Sequence, residues 1–199
     1  MTTQLQAVNQ MLVGIGQAPV VSLDSANPEI ATALSILDSV NREVQGEGWN
    51  FNTEINYPFT PDIDGTITVP NGILQISDNK NSNVQKYQTV LRNGKLYDKI
   101  AHSFTFPTAN PLLCDIVILF DFEDLPQVFQ DYIAQRAARV FAGSVVGSKE
   151  MFQFNAQDET LLRSNCLAYD TNTSAVNIFG VESGQNYYVS YTPFRTIAR

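Results

Sequence analysis

The amino-acid sequence predicts an α+β fold: a helical bundle built from both ends of the chain, a β-rich insertion of hairpins, and an extended C-terminal arm. Three observations predict it. Apolar residues recur at helical spacing in the first and last parts of the globular region, as in Leu5, Val8, Leu12 and Ile15. Between those parts the period changes to two, as in Ile55, Tyr57 and Phe59. Beyond Asp170 the chain turns polar while still carrying spaced aromatics. Residues 1–199 therefore read as one domain. In it, 1–48 and 122–170 form the bundle, 49–121 the insertion and 171–199 the arm.

The first helix is expected over residues 3–15. Gly14 and Gly16 stop it and Pro19 prevents its continuation. The second starts after Asn27, a capping residue. Pro28 stands at the first helical position and Glu29 faces the positive end of the dipole. Ile30, Leu34, Leu37, Val40 and Val44 form its buried face, and Gly46 and Gly48 end it. Trp49 and Phe51 then lock its exit against the core.

In the insertion, Asp64-Gly65 precedes Ile67 and Val69, and Asn71-Gly72 precedes Ile73, Leu74 and Ile76. Tyr87, Thr89 and Leu91 lead through Asn93-Gly94 to Leu96. An Asn-Gly pair between alternating runs signals a hairpin, because both residues accept positive φ in a type I′ turn. Residues 77–85 read as an exposed loop. The apolar run 112–120 reads as a central strand covered on both faces. A third helix is expected near Asp124, with Pro126 in its first turn and Phe129, Tyr132, Ile133, Arg136, Ala137, Val140 and Phe141 on or beside one face. A fourth is expected over 149–169, with Phe154, Leu161, Leu162 and Cys166 as contacts.

The chemistry that this sequence carries is sparse. Its formal charge is −8, from 12 Lys and Arg against 20 Asp and Glu. Its basic residues are scattered along the chain, which argues against a sequence-independent grip on nucleic acid. Cys114 and Cys166 lie in unrelated apolar segments and read as buried thiols. No apolar stretch approaches ~18 residues, so none is expected to span a membrane. The single histidine, His102, has no nucleophile motif around it. Zinc sites draw on closely spaced Cys and His, which are missing from the sequence. Gly14-Ile15-Gly16 ends a helix instead of opening one, and Pro19 stands where a nucleotide fingerprint needs its third glycine. Asp121, Glu123 and Asp124 form the tightest acidic group. They suit a cation site or half of a glycosidase pair, but a strand-to-helix turn whose carboxylates cap the helix explains them better. No catalytic, cofactor-binding or metal-binding residue is assigned.

The arm offers partner-binding candidates. Phe179, Tyr187, Tyr188, Tyr191 and Phe194, followed by Arg195, are too apolar for their polar surroundings and need a surface to pack on. A partner or sister subunit supplies one, since aromatics and Arg anchor interfaces.

Several segments together resemble a known family. Residues 7–12 (AVNQML) and 14–20 (GIGQAPV) are similar to the opening of tail tubular protein A from short-tailed, podovirus-type bacteriophages. The segment 33–51, with Leu37, Val40-Asn41-Arg42-Glu43, Gly48-Trp49 and Phe51, resembles that family's second helix and its exit. Residues 92–98 (RNGKLYD) resemble its hairpin, with Asn in place of a first Gly. Glu123-Asp124-Leu125-Pro126, followed by Phe129, Tyr132-Ile133 and Ala137, is similar to its third-helix entry. The resemblance spans most of residues 5–170 and fades after Asp170.

The family implies a virion adaptor: a homo-oligomeric ring, typically a dodecamer, in the neck between the portal protein and the tail nozzle (tail tubular protein B). The ring gives ground for tail fibres. Double-stranded DNA passes through its lumen without specific binding, and no cofactor, membrane or enzymatic step is implied. A tail-associated glycosidase using Asp121 and Glu123 and a carbohydrate-binding module are the competing readings. The purified chain is expected to leave cell wall uncleaved. Cleavage that disappears on joint Asp121→Asn and Glu123→Gln substitution would establish the enzyme instead.

Overall fold

The computed structural model describes residues 2–24, 27–78, 87–108, 110–145 and 149–173, with the side chains of Asp78 and of residues 149 to 156 outside the description. Helices α1 (Gln4–Gly14), α2 (Pro28–Gln45), α3 (Gln127–Val145) and α4 (Lys149–Thr173) pack together. Strands β1 (Thr53–Phe59), β2 (Ile73–Asp78) and β5 (Leu112–Ile118) form an antiparallel sheet in the order β1-β5-β2. Strands β3 (Thr89–Arg92) and β4 (Lys95–Asp98) form a separate hairpin. The fold is α+β, as the periodicity predicted.

The helices begin where their caps lie. Thr3 and Gln6 make a reciprocal capping box on α1, and the Asn27 side chain accepts from Glu29 N at the start of α2. The core of the helical lobe is α3. Its Phe129, Ile133, Ala137 and Phe141 are fully buried, and α1, α2 and α4 cover three of its sides. Trp49 does lock the exit of α2. Its ring meets Phe129 edge-on at 4.9 Å, and its Nε1 donates to Val44 O at 2.7 Å. A second hydrophobic cluster gathers Phe59, Ile67, Leu96, Phe106, Leu112, Cys114 and Ile116 in the β lobe.

Several expectations give way to tertiary packing. The third helix starts at Gln127, not near Asp124. Residues Phe122–Asp124 form a short 3-10 turn, and Leu125, which precedes Pro126, is extended with ψ 154. The Pro126 carbonyl accepts the first helical N–H bonds, from Phe129 and Gln130. Val140 is exposed because the face of α3 beyond its three neighbours faces solvent. Helix α4 continues past Asp170 to Thr173, and the Thr171 hydroxyl donates to Leu167 O at 2.8 Å. Leu161 is 63% exposed, because the inward face of α4 runs through Glu159, Leu162, Arg163 and Cys166. The side chain of Phe154 lies outside the described residues.

In the β lobe, Asn93-Gly94 does turn a two-residue hairpin, with φ of 51° and 71°. Asn71-Gly72 does not. It leads into β2, whose partner is β5, while Ile67 and Val69 lie in a segment joined to its neighbours only by isolated bridges. Strand β5 is central, but it is not covered on both faces. Leu112, Cys114 and Ile116 point into the core, whereas Leu113 and Asp115 are partly exposed. The Asp115 carboxylate accepts from Asn56 N at 2.9 Å, at a bulge in β1 where Asn56 takes a φ of 61°.

The lobes join at a polar neck. The Asn52 side-chain amide donates to Gln45 O at 2.9 Å and Ile118 O at 3.0 Å, and its oxygen accepts from Trp49 N. The Gln45 side chain accepts from Phe120 N and donates to Phe120 O, both at 2.8 Å. Asn52→Ala removes three hydrogen bonds at once, those to Gln45 O and Ile118 O and that from Trp49 N. Thermal unfolding is expected to show a loss of about 3 kcal/mol and a fall in Tm of roughly 6–12 °C.

Candidate assembly surface

The charged clasp over α3 decides which surface the helical lobe offers. Tyr132 is buried on α3, and its hydroxyl accepts from Arg136 Nη1 at 2.9 Å and Arg163 Nη1 at 3.2 Å. Arg163 reaches from α4 to Glu47 in a bidentate pair at 2.9 and 2.7 Å. Arg136 also meets Glu43, and Arg139 pairs with Glu159. Burial opposes the charge of Arg136, but the Tyr132 hydroxyl and the carboxylates of Glu43 and Glu159 outweigh it and hold its pKa above the usual value. The Glu47 hydrogen bond, then that of Tyr132, raises Arg163 likewise. Asp170 accepts from Asn50 N at 2.7 Å and ties the far end of α4 to the neck. Cys166 is a free, buried thiol pushed up to about 12 by burial.

The clasp fixes α4 with its other side outward. Leu161 is 63% exposed and Leu167 is half exposed there. Elsewhere Val21, on the α1–α2 connection, and Ile63, at a tip of the β lobe, stand fully in solvent. The Ile63 tip is held by the Asp62 carboxylate, which accepts from Asp64 N, Thr66 N and Thr66 Oγ1. These side chains sit on separate elements, each braced by hydrogen bonds beneath it. Such an arrangement can press apolar anchors against other molecules without first reorganising.

The acidic turn has a structural use that the sequence did not disclose. Glu123 accepts from Gln4 N at 3.1 Å, so it serves the N-terminus of α1, not that of α3. Asp121 lines a shallow depression with Gln4, Leu34, Leu37, Asp38, Asn41 and Phe122. His102 is exposed in a turn, with a φ of 53°. Among the described residues no group of three His, Cys, Asp or Glu side chains is placed to hold a metal ion. No described helix is long and apolar enough to cross a membrane. The predicted partner-binding residues Phe179, Tyr187, Tyr188, Tyr191, Phe194 and Arg195 lie outside the described residues. Leu161 was missed as an outward residue because it reads as core when the phase of the helix is set from sequence alone.

A braced surface without assembled chemistry is what a structural component needs, and sequence comparison decides which one. The family model described as tail tubular protein matches residues 5–176. The chain belongs to the tail tubular protein family. It is similar to a tail tubular protein A of Klebsiella phage KP34, with 29% identity over 157 residues, 78% of this chain and 81% of that protein. This tail tubular protein is a structural component of a phage virion tail and associates with other tail components. Leu161→Lys is expected to leave the isolated chain's stability within about 0.5 kcal/mol. The same substitution is expected to lower incorporation into tails several-fold, read as copies per purified particle.

Proposed function

We infer that this tail tubular protein is the adaptor ring, a dodecamer, that joins the capsid portal to the tail nozzle, tail tubular protein B. The ring forms part of the DNA conduit, offers an attachment site for tail fibres, and makes or breaks no covalent bond. The observation that carries this reading is the placement of bare apolar side chains on separate elements, at Val21, Ile63 and Leu161. A closed ring needs heterologous contacts, in which each copy presents two different surfaces to its two neighbours. A two-fold dimer would ask for one self-complementary patch instead.

Charge supports the conduit. Twelve copies at −8 each give the ring a net charge of about −96, which repels a duplex carrying one charge per ~1.7 Å. DNA then slides through without being held. Residues 174–199 are the arm of this reading. Phe179, Tyr187, Tyr188, Tyr191, Phe194 and Arg195 anchor it on a neighbouring copy or on the portal. Fully extended, the segment spans up to about 90 Å.

Truncation after Thr173 tests the arm and keeps the whole of α4, including the Asp170 contact to the neck. The monomer is expected to keep its Tm within a few degrees while ring or portal assembly weakens, as seen by electron microscopy of the chain mixed with its portal. Unchanged assembly would remove the arm from the mechanism.

A further inference from the structure

Ring copies that each carry −8 repel one another unless opposite charges meet at their contacts. The chain has such a division. Between residues 79 and 114 the sequence holds Lys80, Lys86, Arg92, Lys95 and Lys99, and Asp98 is its only carboxylate. That segment is +4, so the remainder of the chain is −12. The structure sharpens the contrast. In the helical lobe Arg42, Arg136, Arg139 and Arg163 are all salt-bridged within the chain. On the β3–β4 hairpin Arg92, Lys95 and Lys99 are exposed and make no salt bridge among the described residues. Asp98 is 2% exposed, and its carboxylate is occupied by Gln88 N, Ile100 N and Ala101 N, at 3.2, 2.9 and 3.2 Å. It braces the base of the hairpin and leaves the basic charge uncovered. Arg92 stacks 4.1 Å over the Tyr97 ring, which holds the cation in place at the tip. The nearby carboxylate of Asp62 feels Lys95 but is engaged by Thr66 and Asp64.

We propose that the β3–β4 hairpin, through Arg92, Lys95 and Lys99, docks on the acidic helical lobe of a second copy of this chain. Its seat is the exposed turn of Asp121, Glu123 and Asp124 beside the depression floored by Leu34, Leu37 and Phe122. The two surfaces belong to different lobes of one copy. The hairpin packs through Leu96 on the β cluster, and the acidic turn packs through Phe122 on the helical cluster. A head-to-tail contact has this property, and it leaves the next hairpin free to continue the ring. The inference rests on the ring reading and assigns one of its lateral contacts.

Charge exchange in the full-length chain tests it. One variant carries Arg92→Glu, Lys95→Glu and Lys99→Glu, and a second carries Asp121→Lys and Asp124→Lys. Both alter exposed side chains, and each is expected to keep the wild-type circular dichroism spectrum. Assembly of each variant alone, with its portal, is expected to fall at least tenfold by sedimentation velocity. Wild-type assembly is expected to weaken as salt rises from about 0.05 to 0.5 M. An equimolar mixture of the two variants is expected to restore assembly, because alternating copies meet opposite charges at every contact. Undiminished assembly of the hairpin variant overturns the proposal, as does failure of the mixture to recover. Normal assembly with lost retention of duplex DNA would place the hairpin on the conduit wall and overturn it too. A wild-type chain that forms no ring in the virion neck overturns the ring reading itself, and this contact with it.

Discussion

The structure depends on one constraint: the chain must leave the helical lobe and return to it at the same place. It departs at the end of α2 and returns from β5, and the two crossings are bound together by side-chain amides. Asn52 bridges Gln45 O and Ile118 O, and Gln45 takes both backbone groups of Phe120. Closing so long a loop costs chain entropy. The neck offsets that cost with hydrogen bonds that are shielded from water, where an unmade bond is expensive. With the neck formed, α3 begins where α1 and α2 can cover it, and the sheet hangs from its central strand.

The same economy shapes α4. Few of its described side chains are both apolar and inward, chiefly Cys166 and Leu162. It is placed instead by guanidinium groups converging on Tyr132 and on the glutamates at 47 and 159. A helix positioned by polar contacts keeps some leucines facing outward, here Leu161 and Leu167. Two lobes with different chemistry follow from one chain. The helical lobe neutralises its arginines internally and shows its acids, while the β3–β4 hairpin buries its one carboxylate and shows its cations.

How far the sequence could be read depends on the range of each interaction. Helix starts at Thr3 and Asn27, the stop at Gly46 and the turn at Asn93-Gly94 are set by residues within four positions of one another, and they stand where the sequence puts them. The Asn71-Gly72 signal is equally local, yet it does not make a hairpin, because strand partners are chosen across the whole lobe. Val140 and Leu161 show the same limit, since apolar identity does not say which face a neighbouring helix covers.

The sequence by itself determined the α+β class, the order of helices and strands, the charge balance, and the resemblance that led to the tail tubular proteins. All of these rest on periodicity, capping chemistry and residue identity along the chain. Only the tertiary structure decided that Gln45 and Asn52 form the neck, that Glu123 serves α1, that Arg136 and Arg163 share Tyr132, and that the hairpin's cations stand uncovered. The first three join residues far apart in sequence and the last is the lack of such a partner among the described residues, and hydrogen bonds and ion pairs form only between groups that folding has brought within about 3 Å.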